Sequence, residues 1–145
     1  MFDYLTNTRE LDNLIWVWNG QSAAWFPRPD TVDIVGFDVY APPRNYASQE
    51  AKFGETQVMP PERNRMVALT ENGAIPDPDL CKADNAMWLW FLTWNDARYT
   101  SGETHRDNFW TGEYHNTQAH KTHVFTHDLV ITLDELPDLT QYRRE

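Results

Sequence analysis

Four short apolar segments each run out into side chains able to hold or attack a polar ligand. Leu14 to Trp18 (LIWVW) leads into Trp18 and Asn19, and Val32 to Tyr40 (VDIVGFDVY) ends in Asp38 and Tyr40. Met66 to Thr70 leads into Glu71 and Asn72, and Met87 to Trp94 (MWLWFLTW) leads into Trp94, Asn95 and Asp96. A carboxylate flanked by aromatic platforms and amide side chains suits carbohydrate, because sugar rings present apolar C–H faces to aromatic rings and hydroxyls to polar groups. Cleaving a glycosidic bond takes two carboxyl groups, about 5–5.5 Å apart in a retaining enzyme and farther apart in an inverting one. Glu71 is a candidate for one of them.

Plainer accounts exist for the same residues. Glu71 also reads as a surface glutamate at a loop start, and Asp38 with Tyr40 as a satisfied pair capping a loop. Trp16, Trp88 and Trp90 read as core; Trp18 and Trp94, at the ends of their segments, fit either core or platform.

Positioning these side chains requires strands. Each segment has strand length and is rich in β-branched or aromatic residues. Long crossovers punctuated by Gly20, Pro27, Pro29, Pro42, Pro43, Pro60, Pro61, Pro76 and Pro78 separate them. Parallel neighbours need such crossovers, so the pattern predicts an α/β fold with a parallel sheet. In such sheets function gathers at the C-terminal strand ends. Strict alternation would put Val67, Leu69 and Glu71 on one face, Gly36, Asp38 and Tyr40 on one face, and Trp90, Leu92 and Trp94 on one face. If those faces point inward, an acid, a tyrosine and a tryptophan meet at one mouth.

Between the strands a short helix is expected within Tyr46 to Val58, a helix end within Phe2 to Leu11, and a helix from about Asn108 to His127. Pro76-Asp77-Pro78-Asp79 reads as a rigid loop end rather than a calcium loop. No repeat or linker divides the 145 residues, so one unit is expected. Four strands are too few to close a barrel, and an eight-stranded (β/α) barrel takes roughly 250 residues; the chain has the make-up of half of one.

Composition narrows the function. The net charge of −10 argues against binding nucleic acid or an anionic membrane. Seven Trp, seven Phe and six Tyr supply large buried surfaces and favour a folded chain. No stretch has the roughly 20 apolar residues of a membrane span, and the N-terminus lacks the pattern of a signal peptide. Cys81 is the single cysteine and has no metal-ligand spacing around it. Ser22, Ser48 and Ser101 stand outside any GxSxG, and no phosphate-binding glycine loop occurs. His120, His123 and His127 would share one side of a helix, but a solvated or packed face is preferred over a metal site because nothing supplies a clear fourth ligand. No metal or cofactor is expected.

The segments LDNLIWVWN (11–19), WFP (25–27), VDIVGFDVY (32–40), MVALTENGAIPDPD (66–79), WLWFLTWN (88–95) and VITLDELP (130–137) together resemble the C-terminal half of glycoside hydrolase family 26, chiefly endo-β-1,4-mannanases. The resemblance implies a (β/α)8 TIM barrel of which this chain holds strands five to eight. It implies Glu71 as catalytic nucleophile at the end of strand seven, Tyr40 hydrogen-bonding it, Asp38 supporting substrate or nucleophile, and Trp94 as the stacking floor beneath the sugar. Trp18 joins them as a candidate substrate contact. The implied substrate is β-mannan, with β-1,3-xylan or mixed-linkage glucan as alternatives within the family, and the implied location is extracellular.

One departure stands out. The family's acid/base glutamate follows a histidine at the end of strand four, and none of His105, His115, His120, His123 and His127 is followed by Glu. The chain alone is therefore expected to be inactive or nearly so, its open edges inviting a complementary half-barrel or self-association. A non-catalytic β-glycan-binding or scaffold fragment is the alternative.

Overall fold

The computed structural model describes residues 1–61, 65–94 and 108–138. Among these, three parallel strands form a sheet in the order β1 (Val17–Trp18), β2 (Ile34–Val39) and β3 (Met66–Asn72). The segment 87–94 runs beside β3 as a fourth, irregular strand. It gives a single parallel bridge, Asn72 to Thr93, although Leu89 donates to the Val67 carbonyl, and Leu69 and Asn72 donate to those of Trp90 and Leu92. With helices on the crossovers, the fold is α/β. Asn95, Asp96, Ser101 and His105 lie outside the described residues.

The first strand is shorter than the apolar run 14–18 predicts. Asp33 explains where it begins. Its carboxylate accepts the Trp16 N–H at 2.8 Å, taking a donor that a longer ladder would need. Ile15 and Val17 are left exposed on this edge.

The sheet is buried on both sides, with Ile34 and Ala68 on one face and Val35, Phe37, Val67 and Leu69 on the other. Val35 pairs with Val67 and Phe37 with Leu69, and all four are buried. Helix α1 (Glu50–Gln57), within the span predicted, packs Phe53 against Val67 and Ala86, and Lys52 holds its ammonium 5.0 Å from the Phe37 ring. Trp88 closes this cluster edge-on to Phe53 while its indole N–H donates to the Ser48 carbonyl. Trp16, Trp88 and Trp90 are partly buried; Trp88 packs against this core cluster, as the sequence suggests, and Trp16 lies against Phe2.

Two further helices depart from expectation. Residues 77–83 are not merely a loop end. Asp77 caps helix α2 (Pro78–Ala83), accepting the Asp79 and Leu80 N–H groups, and Pro78 occupies the first turn, where its missing N–H costs nothing. Conversely the helix expected from Asn108 shrinks to α3 (Gln118–Phe125), capped by Thr117. Asn108 accepts the Trp110 and Thr111 N–H groups and so folds 108–111 into a turn instead. The Phe2 to Leu11 expectation ends as a five-residue π-helical turn, Tyr4–Thr8.

Candidate active site

The C-terminal strand ends meet along one edge of the sheet. Strict alternation would leave Glu71 with Val67 and Leu69 on the face packed by α1. A bulge prevents this. Phe37 pairs with Leu69, but Asp38 pairs with Glu71, so Thr70 is an extra residue in β3. Paired residues of a parallel ladder share a face, so Glu71 moves to the side of Asp38 and Gly36. The expected grouping of Val67, Leu69 and Glu71 is therefore wrong, and the insertion of Thr70 is the reason.

On this face Thr70 fills the space over Gly36. A Cβ at position 36 would come within 2.1 Å of the Thr70 methyl, so glycine is what lets the bulge lie flat. The Thr70 hydroxyl donates to Asp38 Oδ1 at 2.9 Å, and the Asn19 amide donates to the same oxygen at 3.0 Å. Gln21 accepts the Asp38 N–H and donates to the Asn19 side-chain oxygen. Asp38 thus ties the end of β1 to the bulge of β3.

Tyr40 reaches across to Glu71, its hydroxyl donating to Oε2 at 2.6 Å. Glu71 is half-buried and Tyr40 about half exposed. The Tyr40 ring rests 5.7 Å from the ring of Phe109, which in turn lies over Gly73, just past Glu71. Trp18 packs edge-on to Phe26 at 4.9 Å, its indole lying against Gly20. Trp94 donates its N–H to the Asn72 carbonyl, fixing its backbone one residue beyond Glu71, with its side chain partly exposed. The structure therefore joins Asp38, Tyr40 and Glu71 through direct or one-residue contacts and sets Trp18 and Trp94 to either side.

Residue-by-residue reading missed the supports. Asn116 is fully buried: its side-chain oxygen accepts the Ile75 N–H, and its amide donates to the Gly73 and Phe109 carbonyls. It pins the loop after Glu71 to the loop carrying Phe109. His120 is also packed rather than solvated, stacked 3.5 Å from Tyr46 with Nε2–H donating to the Ile75 carbonyl. Burial pushes its pKa below the usual value, against the pull of that carbonyl and of Asp77. The capping pattern of Asp77-Pro78 and Thr117 was available in the sequence; the contacts of Asn116 and Phe109 carry no local signal.

Parallel strands whose C-terminal ends gather a carboxylate, a tyrosine hydroxyl and tryptophan rings define an α/β protein with the site layout of barrel enzymes. Comparison with known proteins gives the family: the chain belongs to glycosyl hydrolase family 26, whose model matches residues 1–135. A mannan endo-1,4-β-mannosidase of Thermothelomyces thermophilus is 39% identical over 140 residues, covering 94% of this chain and 25% of its own length. Mannan endo-1,4-β-mannosidase B of Piromyces sp is 35% identical, covering 94% of this chain and 21% of its own. The chain thus spans about a quarter or less of the curated relatives it matches. Among solved structures, the β-(1,4)-mannanase of Podospora anserina superposes with a TM-score of 0.76 at 36% identity, over 92% of this chain and 27% of that one. The β-mannanase from a symbiotic protist of the termite Reticulitermes speratus, complexed with gluco-manno-oligosaccharide, superposes with a TM-score of 0.73 at 30% identity, over 94% and 39%.

Proposed function

We propose that these 145 residues form the nucleophile-bearing part of a retaining endo-β-1,4-mannanase, corresponding to strands five to eight of a (β/α)8 barrel. The observation that carries this reading is the Tyr40–Glu71 hydrogen bond at the strand ends, set up by the Thr70 bulge. In this reading a Glu71 oxygen attacks the anomeric carbon of a mannosyl residue and forms a glycosyl-enzyme that water later hydrolyses. Tyr40 orients the carboxylate through Oε2. Asp38 holds the rim of the site, Trp94 offers an aromatic floor to the sugar, and Trp18 extends the aromatic wall. The names of the relatives and the bound oligosaccharide of the termite-symbiont enzyme support β-mannan as substrate.

The second carboxyl is a separate matter. Asp38 Oδ1 already holds Thr70 and Asn19, which fits an anchoring role better than proton transfer to a leaving group. With no His-Glu pair in the sequence, the acid/base comes from outside these residues, supplied by a complementary half-barrel. Losing general acid–base assistance costs roughly 10²- to 10⁴-fold in rate.

A reducing-sugar assay on β-mannan tests this, with Glu71→Ala alongside and the oligomeric state followed by light scattering. The 145-residue chain alone should give no turnover above background. Mixing with the remaining barrel strands should restore it, and Glu71→Ala should abolish it. Turnover by the chain alone would refute the dependence on an outside acid, and restored turnover that survives Glu71→Ala would refute the nucleophile assignment.

A further inference from the structure

The loops that follow β2 and β3 meet the segment 108–117 at one ring, that of Phe109. It lies so close to Gly73, just past Glu71, that a Cβ there would come within 2.7 Å of Phe109 Cε1 and 3.0 Å of Cδ1. It also meets the Tyr40 ring, with centroids 5.7 Å apart and planes tilted by 47°. His115 packs edge-on against it at 4.3 Å.

The backbone around this ring is tied down as well. One amide nitrogen, Asn116 Nδ2, donates to the Gly73 carbonyl at 2.8 Å and to the Phe109 carbonyl at 2.9 Å, so the ring and the glycine against it share an anchor. On the loop that leaves Tyr40, the Arg44 N–H donates to the His115 carbonyl at 3.0 Å. Phe109 is only partly buried, so filling the core does not account for this much restraint. What the restraint does reach is Tyr40. A half-exposed tyrosine bonded at its hydroxyl can still swing between rotamers, and an aromatic neighbour in a tilted pair limits that swing.

We propose that Phe109 is a positioning residue for Glu71: seated between Gly73 and Tyr40, its ring fixes the orientation from which the Tyr40 hydroxyl holds the carboxylate, and Gly73 is the residue that makes room for it. The proposal rests on the reading of Glu71 as nucleophile and adds a means of aiming it. Phe109 acts through Tyr40 and not on the sugar, so its effect belongs in kcat rather than in KM. A Cβ at position 73 would displace the ring, so Gly73→Ala should act on Glu71 by the same route.

Two measurements test this. In the first, the 145-residue chain carries tyrosine labelled with carbon-13 at Cζ, the ring atom that bears the hydroxyl and reports its hydrogen bond. Tyr40→Phe assigns the Tyr40 resonance, and Glu71→Ala marks its position without the acceptor. Phe109→Leu and Gly73→Ala should each move the resonance toward that position, and Phe109→Leu should move it far less in the Glu71→Ala background. In the second, in the barrel completed with the remaining strands, Phe109→Leu should lower kcat on β-mannan about 3- to 10-fold, the worth of one aromatic pair, with KM nearly unchanged. In the Tyr40→Phe background the same change should cost less than about twofold, because the hydroxyl it aims is gone. A Tyr40 resonance unmoved by Phe109→Leu, a loss confined to KM, or an equal loss of kcat with and without the Tyr40 hydroxyl would overturn the proposal. Turnover that survives Glu71→Ala would remove the nucleophile reading alone, and the resonance would still decide whether Phe109 holds Tyr40 on Glu71.

Discussion

Asp38 stands opposite Glu71 in the β2–β3 ladder although Phe37, one residue earlier, stands opposite Leu69. The extra Thr70 is accommodated because Gly36 leaves room for it: a Cβ there would meet the Thr70 methyl at 2.1 Å and its hydroxyl at 2.6 Å. Gly36→Ala should therefore destabilise the fold by about 1–3 kcal/mol, as overpacking does. Urea unfolding measures it. Thr70→Ala in the same chain should return part of the loss, with a coupling of about 0.5–3 kcal/mol between the two sites. Additive effects would show that the bulge does not rest on this contact.

Tyr40 and Glu71 meet at 2.6 Å, and Tyr40 is half exposed, so the contact serves orientation more than stability. A hydrogen bond to a charged group contributes about 1.5–3 kcal/mol. In the barrel completed with the remaining strands, Tyr40→Phe should lower kcat about 10- to 100-fold while changing the unfolding midpoint little. A Tyr40→Phe enzyme with wild-type kcat would separate Tyr40 from the action of Glu71.

How far the sequence shows all this depends on how local the cause is. The four apolar runs and their long crossovers announce parallel strands because strand length and connection length are properties of the chain itself. Helix α1 is bounded by its flanking prolines, and Glu71, Tyr40 and Asp38 sit at segment ends where parallel sheets place their sites. The bulge is different. It is defined by which residue of β2 faces which residue of β3, and no run of residues within β3 reveals it, so alternation put Glu71 on the wrong face. The short β1 likewise depends on Asp33, 17 residues from the Trp16 N–H it captures. Helix α2 was legible after all, since Asp77-Pro78 is an N-cap followed by a first-turn proline; reading the two prolines only as loop markers concealed it.

Asn116 should be the costliest single polar residue near the site to remove. Its side chain satisfies the Ile75 N–H and the Gly73 and Phe109 carbonyls in a fully buried setting. Asn116→Leu would leave all three without that partner, at about 1–3 kcal/mol for each group left buried and unpaired. A loss of at least about 3 kcal/mol by urea unfolding is expected. A loss below about 1 kcal/mol would mean that water or neighbouring groups take over these bonds.

Cys81 is half-buried beside Asp77 and Asp84, and burial followed by these two carboxylates pushes its pKa to about 11. The thiolate is the reactive form, so at pH 8 its share falls about 100-fold relative to a thiol of pKa 9. Iodoacetamide should alkylate the folded chain about two orders of magnitude more slowly than the urea-unfolded chain. Because the folded pKa is raised, the contribution of this thiol to stability is present below the unfolded value and is lost as pH rises toward 11. Equal rates in the folded and unfolded chains would contradict the placement of Cys81.

His120 gives the opposite pH dependence. The ring is buried, stacked on Tyr46, and its Nε2–H donates to the Ile75 carbonyl. Desolvation lowers its pKa from 6.5; the Ile75 carbonyl and Asp77 act in the opposite direction, and His123 adds a small further lowering. In the unfolded chain the imidazole takes up a proton near pH 6.5, whereas in the folded chain it does so only at lower pH. Below 6.5 the unfolded state therefore binds more protons, and stability falls as acidification proceeds toward the folded pKa. Above 6.5 the neutral ring contributes fully. Unfolding midpoints measured from pH 8 to pH 5 should drop more steeply for the wild-type chain than for His120→Gln, which keeps an N–H for the Ile75 carbonyl but has nothing to titrate. His123 and His127 are present in both chains, so the difference between the two curves isolates His120. Parallel curves across that range would show that His120 carries the same proton affinity folded and unfolded.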